Sequence, residues 1–184
     1  MRESFVELGI VVRSVRSGDF DARLAIFTAT GLKWLTAKGV YRPKAKLAAA
    51  IGLFTVAEWT GSGKAITGAN VLVSPFGLTK DLHRYYLACA IADSLNNLEF
   101  VEQAPQALVA AINAITALST TDQSCYIIFL DYFIKVLTLL GYDFDQTYDA
   151  ATLTHSQAKQ LVTAVEQSFI TNVDYRIQFC DMMY

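Results

Sequence analysis

The residues with the clearest chemical potential are cations interleaved with aromatic rings in the first quarter of the chain. The stretch AKGVYRPKAK (37–46) packs four cations around Pro43. A surface that follows a phosphate backbone needs distributed positive charge, and exposed rings let bases stack whatever their sequence. The pattern therefore predicts a nucleic-acid-binding surface built from Arg13, Arg16, Arg23, Lys33, Lys38, Arg42, Lys44, Lys46 and Tyr41.

The rings among these cations have two possible roles. Trp34, Tyr41, Phe54 and Trp59 lie in the same region. A small barrel uses most of its aromatic residues in the core, so we expect at most two of the four to be exposed. Tyr41 either stacks on a base or packs against the protein.

The charge of the chain is divided between its two halves. Residues 1–84 hold twelve Lys and Arg against six acids, whereas residues 85–184 hold three cations against eleven acids. Such asymmetry predicts two modules with different partners, the basic one meeting a polyanion such as nucleic acid. Charge alone is equally consistent with a solvated face.

Other possible reactive motifs are incomplete. In GSGKAIT (61–67) the phosphate-binding loop pattern fails, because Glu58 stands where its first glycine belongs and Ala65 replaces its Ser or Thr, so we expect a hairpin turn. His83 and His155 have no paired nucleophile or metal-ligand neighbour in sequence, and DFDQTYD (143–149) lacks the glycine and glutamate of a calcium loop. The chain is predicted not to be an enzyme and to need no cofactor.

The cysteines and the apolar segments bear on the compartment. Cys89, Cys125 and Cys180 are odd in number and far apart, which predicts free thiols in a reducing cytoplasm. The first residues lack the apolar core of a signal peptide, and the most apolar stretch (125–142) contains Asp131 and Lys135. No membrane segment is expected.

The basic residues lie within a pattern of short strands. Runs rich in β-branched and aromatic residues extend to about residue 73 and are separated by glycine-containing turns. About five strands without long crossover helices predict a small antiparallel barrel, most simply of the OB type, with an SH3-like barrel as the alternative.

Helical patterns follow Ser74-Pro75-Phe76-Gly77. Thr79 is a candidate cap for a helix over 82–98, a second helix is expected over 105–118, and the apolar 125–140 segment predicts a buried third helix. Capping boxes are predicted at Thr120 with Gln123, before the third helix, and at Thr154 with Gln157, before a fourth helix over AKQLVTAVEQSFI (158–170). Asp131 and Lys135 should pair. The predicted class is α+β, with an N-terminal five-stranded OB-type β-barrel (1–77) and a C-terminal helical bundle (78–184).

Several segments together resemble the RecO family of bacterial recombination mediators. They are LGIVVRS (8–14), RLAIFTATG (23–31), LTAKGVYRPKAKLAAAIGLFTVAEW (35–59) and VLVSPFGLTKDLHRYYLACAIADSL (71–95). The densest match is the AKG-x-x-RPK-x-x-L core from Ala37 to Leu47. The match is good over 5–95, moderate over 96–142 and faint beyond.

The resemblance implies an OB fold followed by a helical domain, binding of single- and double-stranded DNA, annealing of complementary strands, and RecR and single-stranded DNA-binding protein as partners. Many members carry a four-cysteine zinc site soon after the segment that matches LLGYDFD (139–145). This chain has no cysteine there, so no zinc is expected. The family often has a further arginine where this chain has Tyr41.

The leading hypothesis is a non-enzymatic DNA-binding and strand-annealing protein of recombinational DNA repair. The alternative is a protein-interaction scaffold, in which the basic half contacts the acidic half of a neighbour. An NTPase is a distant third.

Overall fold

The computed structural model describes residues 3–98, 101–141, 153–154, 156–158 and 160–161. It is an α+β structure in which five strands precede the helices, as the sequence predicts. The strands are β1 (Ser4–Ser17), β2 (Asp21–Thr28), β3 (Gly31–Ala37), β4 (Val56–Ser62) and β5 (Ala65–Val73).

The five strands form one sheet that closes on itself. Their order is β1-β2-β3-β5-β4, and β4 pairs back onto β1. Most pairs are antiparallel, but β3 and β5 run parallel through Thr36 with Ala65 and Ala37 with Ile66. The antiparallel arrangement that the sequence predicts thus holds for four of the five strand pairs, and β3–β5 is the exception because β4 lies between β3 and β5 in sequence but on the far side of β5 in the sheet.

The long first strand allows this closure. β1 pairs with β4 through its first half and with β2 through its second half, and its register shifts at Val11–Arg13. A bulge of this kind bends a strand and increases its twist, which is what a closed small sheet requires. One face of the sheet encloses a compact core around Trp59, whose indole N–H donates to the Gly9 carbonyl at 3.1 Å.

The helices begin directly after the last strand. They are a 3-10 helix (Pro75–Lys80), α1 (Leu82–Asn96), a short 3-10 turn (Val101–Gln103), α2 (Ala104–Thr120) and α3 (Cys125–Leu139). The first three of the four predicted helices are thus present, with α3 buried over most of its surface, and most of the fourth (158–170) lies outside the described residues. The proposed division at residue 77 stays a prediction.

Two of the predicted caps are wrong. Asp81, not Thr79, caps α1 by accepting from the backbone N–H groups of His83 and Arg84. A carboxylate is a stronger acceptor at a positive helix end than a hydroxyl, and the Thr79 hydroxyl instead donates to the Phe76 carbonyl. Thr120 is the last residue of α2 and donates to the Thr116 carbonyl, so it forms no capping box with Gln123.

The larger hydrophobic core joins the outer face of the sheet to the helices. It combines Ile10, Ala25 and Phe27 from the strands with residues of all three helices. Phe54 lies at this junction with a φ of 66°, an unusual conformation for a bulky residue, and its ring meets Tyr85 of α1 edge-on at 5.6 Å. Phe54 and Trp59 are buried, as the prediction for the four rings requires.

Polar contacts connect the helices to one another. The Arg84 guanidinium donates to the carbonyls of Leu118 and Gln123, each at 2.8 Å, and so links α1 to the end of α2. Ser94 and the fully buried Tyr132 share a hydrogen bond at 2.5 Å, and burial raises the pKa of the Tyr132 phenol. The predicted Asp131–Lys135 pair is present at 2.6 Å.

Beyond α3 only a few residues are described. The capping box predicted at Thr154 and Gln157 is confirmed. The Thr154 N–H donates to the Gln157 side-chain oxygen at 2.9 Å, and the Gln157 N–H donates to the Thr154 hydroxyl at 3.3 Å. The acidic stretch 143–149, His155 and Cys180 lie outside the described residues.

Candidate nucleic-acid interface

The β1–β2 hairpin and the connection after β3 are held together by hydrogen bonds. The Gly39 N–H donates to the Asp21 carboxylate at 2.7 Å, and the Tyr41 N–H donates to the Phe20 carbonyl at 3.0 Å. Arg16 donates to the Asp19 carbonyl at 2.8 Å, which fastens the turn itself. Two segments that are distant in sequence therefore form one structural unit at this end of the sheet.

Reciprocal contacts between cations and rings join the same two segments. The guanidinium of Arg16, in the hairpin, lies 5.1 Å from the ring centre of Tyr41 in the connection. The guanidinium of Arg42, in the connection, lies 5.1 Å from the ring centre of Phe20 in the hairpin. Each segment thus supplies one cation and one ring, and the ring holds the cation without cancelling its charge.

A third pair lies on the outer face of β2 and β3. Arg23 lies opposite Thr36, and Ala25 lies opposite Trp34, so Arg23 and Trp34 are diagonal neighbours on one face. The Arg23 guanidinium lies 4.9 Å from the centre of the Trp34 ring. Trp34 is half-buried against the larger core, so Tyr41 is the only one of the four predicted rings that is exposed.

The connection after β3 presents its remaining cations on turns. The Ala45 N–H donates to the Arg42 carbonyl at 3.2 Å, with Pro43 and Lys44 at the two central positions. Lys44 has a φ of 63°, as the third residue of a type II turn requires, although glycine is the usual residue there. Lys38, Lys44 and Lys46 are all exposed.

One further cation, Lys64, was not among the predicted residues. It lies in the β4–β5 turn, and its carbonyl accepts from the Thr36 N–H at 2.8 Å. The adjoining positions Arg23, Thr36 and Ala65 form one row across β2, β3 and β5, so this turn is at the same end of the sheet as the hairpin. In the sequence, Lys64 belongs to GSGKAIT, which is an incomplete phosphate-binding loop pattern. Only the order of the strands in the sheet shows that Lys64 lies near the other cations.

We call this surface the basic end and define it by seven cations and two exposed rings. Its members are Arg16, Arg23, Lys38, Arg42, Lys44, Lys46 and Lys64, with Phe20 and Tyr41. Within the described parts of the chain, none of the seven cations lies within 4.0 Å of a carboxylate oxygen. Phe20 was not among the predicted residues, because it was assigned only to the SGDFD turn. An aromatic ring between Asp19 and Asp21 in a turn was the feature of the sequence that could have indicated an exposed ring.

Two predicted residues lie apart from the basic end. Lys33 is near the start of β3, whereas the basic end lies at its finish, and its ammonium pairs with both oxygens of Glu7 at 2.5 and 2.7 Å. Arg13 is exposed on β1 and faces α1, where burial raises the pKa of Asp93 and the charge of Arg13 lowers it. Their role in nucleic-acid binding stays a prediction.

A second group of ionisable side chains lies on α1. Burial and the neighbouring Asp93 raise the pKa of the Cys89 thiol, and a hydrogen bond from Tyr85 acts in the opposite direction. The net shift favours the thiol over the reactive thiolate. Among the residues that the structure describes, no three His, Cys, Asp or Glu side chains converge as a metal site, and no helix is long and apolar enough to cross a membrane.

Comparison with known proteins gives one informative result. No family model matches the chain. The chain is similar to a protein of Acetivibrio thermocellus named DNA repair protein RecO, with 31% identity over 140 residues. The matched region covers 73% of this chain and 56% of that relative, so the chain spans little more than half of the relative's length.

Proposed function

We propose that this chain is a RecO-like protein of recombinational DNA repair that binds DNA through the basic end and promotes pairing of complementary strands. The observation that carries the proposal is the convergence of seven cations from three separate segments onto one end of the sheet, where the described residues place no carboxylate oxygen within 4.0 Å of them. The similarity to a protein named DNA repair protein RecO supports the same reading independently of the geometry.

The strand order supports an OB-type assignment for the sheet. Five strands close in the order β1-β2-β3-β5-β4, with β3 and β5 parallel. OB folds bind oligonucleotides with the face of strands 2 and 3 and with the loops between strands 1 and 2 and between strands 4 and 5. In this chain those three places carry Arg23 with Trp34, Arg16 with Phe20, and Lys64.

Strand pairing follows from charge neutralisation. Two strands repel each other through their phosphates, and a surface with several uncompensated cations lowers that repulsion when it binds both. The protein would act by this non-covalent route and not as an enzyme. In this proposal the helices support the sheet through the shared core and offer surfaces to RecR or single-stranded DNA-binding protein, in a cytoplasmic setting.

The proposal is tested by fluorescence anisotropy of a labelled single-stranded oligonucleotide across a salt series. The logarithm of affinity should fall linearly with the logarithm of salt, by about 0.7 per phosphate neutralised. A variant with Arg42, Lys44 and Lys46 changed to Ala should lose about 2 units of that slope. A complementary-strand annealing assay should show the same ranking.

A matched control removes the same charge elsewhere. Changing Lys33, Lys80 and Lys135 to Ala also deletes three cations, but none of these belongs to the basic end. This variant should keep nearly the full slope. Weak, salt-insensitive binding by the unmodified protein, or equal losses in the two variants, would contradict the proposal.

The scaffold hypothesis has one specific observation in its favour. Val6 and Leu8 of β1 are 65% and 41% exposed, and Leu72 of β5 is 57% exposed. The two β1 residues lie opposite Thr60 and Glu58 of β4, on the face away from the buried Trp59. A scaffold would self-associate without DNA, which light scattering at low and high salt would show; a monomer at both salt levels would exclude self-assembly.

A further inference from the structure

Two aromatic rings at the basic end are exposed, and in the part of the chain that the structure describes neither is packed in a hydrophobic core. Phe20 is 46% exposed and Tyr41 is 41% exposed, even with a guanidinium over each ring. Neither ring belongs to either hydrophobic core of the described residues. Single exposed apolar side chains are common on protein surfaces, but exposed apolar surface rimmed by polar or charged residues is typical of interaction sites, and here the rim is cationic.

We infer that Phe20 and Tyr41 form a stacking platform for unpaired nucleobases, an inference that rests on the proposed DNA-binding function. The two residues are held side by side because the Tyr41 N–H donates to the Phe20 carbonyl at 3.0 Å, and the Gly39–Asp21 contact fixes the same junction. A platform held this way loses little conformational freedom when a base binds.

The arginines explain why the rings suit nucleic acid in particular. Arg16 and Arg42 lie 5.1 Å from the ring centres, so a charge that can meet a phosphate accompanies each surface that can meet a base. Single-stranded nucleic acid repeats this combination of a planar base and a phosphate at every nucleotide. A hydrophobic peptide would use the rings but would leave the surrounding cations without partners.

The platform gives the protein a preference for single-stranded over double-stranded DNA, which the cations alone cannot give. Duplex and single strands both present phosphates, but a duplex keeps its base faces stacked inside. The rings therefore add affinity only for unpaired bases. The basic end would bind both forms through charge and favour the single-stranded form through Phe20 and Tyr41.

The test compares a ring-free variant with the unmodified protein on three DNA probes of equal length. The variant F20L/Y41L keeps apolar bulk and all cations but removes both aromatic faces. The probes are a thymidine oligonucleotide, the same backbone without bases, and a duplex. The variant should bind the thymidine probe at least tenfold more weakly, with duplex affinity changed less than about twofold and the salt slope unchanged.

Further controls separate stacking from other effects. Phe76→Leu removes another exposed ring, 70% exposed and paired with Lys80, and should leave all three affinities unchanged. Tyr41→Phe keeps the stacking surface and should bind like the unmodified protein. The unmodified protein should bind the base-free probe more weakly than the thymidine probe. This comparison needs no variant and remains valid even if F20L/Y41L does not fold.

Each contrary result has a distinct meaning. Equal losses on single strand and duplex would show that the rings only position arginines, and would overturn the platform. Equal affinity of the unmodified protein for base-containing and base-free strands would overturn it as well. Absence of DNA binding by the unmodified protein would instead remove the proposed function, and the platform with it.

Discussion

Cations are held in two different ways in two regions of this molecule, the basic end and the rest of the described residues. Lys33, Arg84 and Lys135 each lie within 4.0 Å of a carboxylate. At the basic end, Arg16, Arg23 and Arg42 lie over aromatic rings, and the described residues place no carboxylate oxygen within 4.0 Å of them. A carboxylate orders a cation and neutralises it, whereas a ring orders the cation and leaves its charge available.

This difference indicates which cations contribute mainly to folding stability and which mainly to DNA binding. A cation that is paired with a carboxylate has little field left for a ligand, and hydrogen bonds to carbonyls in other elements add to its role in folding. A cation on a ring contributes modestly to folding and keeps its attraction for a polyanion. The arrangement thus predicts that substitutions in the two sets affect different measurements.

Arg84→Ala should have the largest effect, and on stability alone. The substitution removes two hydrogen bonds to carbonyls, at Leu118 and Gln123, and exposes the end of α2. We expect a loss of about 2–3 kcal/mol in unfolding free energy by urea denaturation, with DNA affinity retained in the folded protein. Arg42→Ala is the matched comparison and should cost less than about 1 kcal/mol. Equal costs would remove the distinction between the two sets.

Lys44→Gly should act in opposite directions on the two measurements. Lys44 holds a φ of 63°, where glycine is not strained, so the variant should be more stable by about 1 kcal/mol. It also removes one cation, so the salt slope for single-stranded DNA should fall by about 0.7. Lys46→Gly is the control, because Lys46 does not have a positive φ: it should lower the slope without stabilising the protein.

Lys33→Met should have the smallest combined effect on stability and binding. Glu7 already neutralises Lys33, and the pair lies away from the basic end. We expect DNA affinity to change less than about twofold and stability to fall by less than about 1 kcal/mol. Lys38→Met deletes an exposed cation of the basic end and should lower the salt slope by about 0.7. A slope change in the Lys33 variant matching that in the Lys38 variant would contradict this division.

Much of the fold was predictable because its signals are local. Five strands separated by glycine turns and three helices appear near the predicted positions, since periodicity depends on neighbouring residues. The caps at Thr79 and Thr120 were wrong because several polar residues near a helix start compete, and the choice among them depends on where the chain enters the helix.

The candidate site was predictable in composition but not in arrangement. A cluster of cations around Pro43 is visible in the sequence. The structure bonds the β1–β2 hairpin, with Arg16 and Arg23, to the connection after β3, which holds Lys38, Arg42, Lys44 and Lys46. Lys33 looked equivalent to them, but its pairing with Glu7 depends on the sheet order, in which β1 and β3 lie on either side of β2. Lys64 and Phe20 looked like ordinary turn residues, because their neighbours at the basic end come from segments that are distant in sequence.

The sequence by itself determined the element types, the division of charge and the presence of rings among the cations, because these follow from residue identity and short-range spacing. Tertiary structure alone decided which cation lies on which ring: Arg16 meets Tyr41, and Arg42 meets Phe20, only after the hairpin and the connection are bonded together. Contacts between segments distant in the chain depend on strand order and closure, which local patterns do not encode.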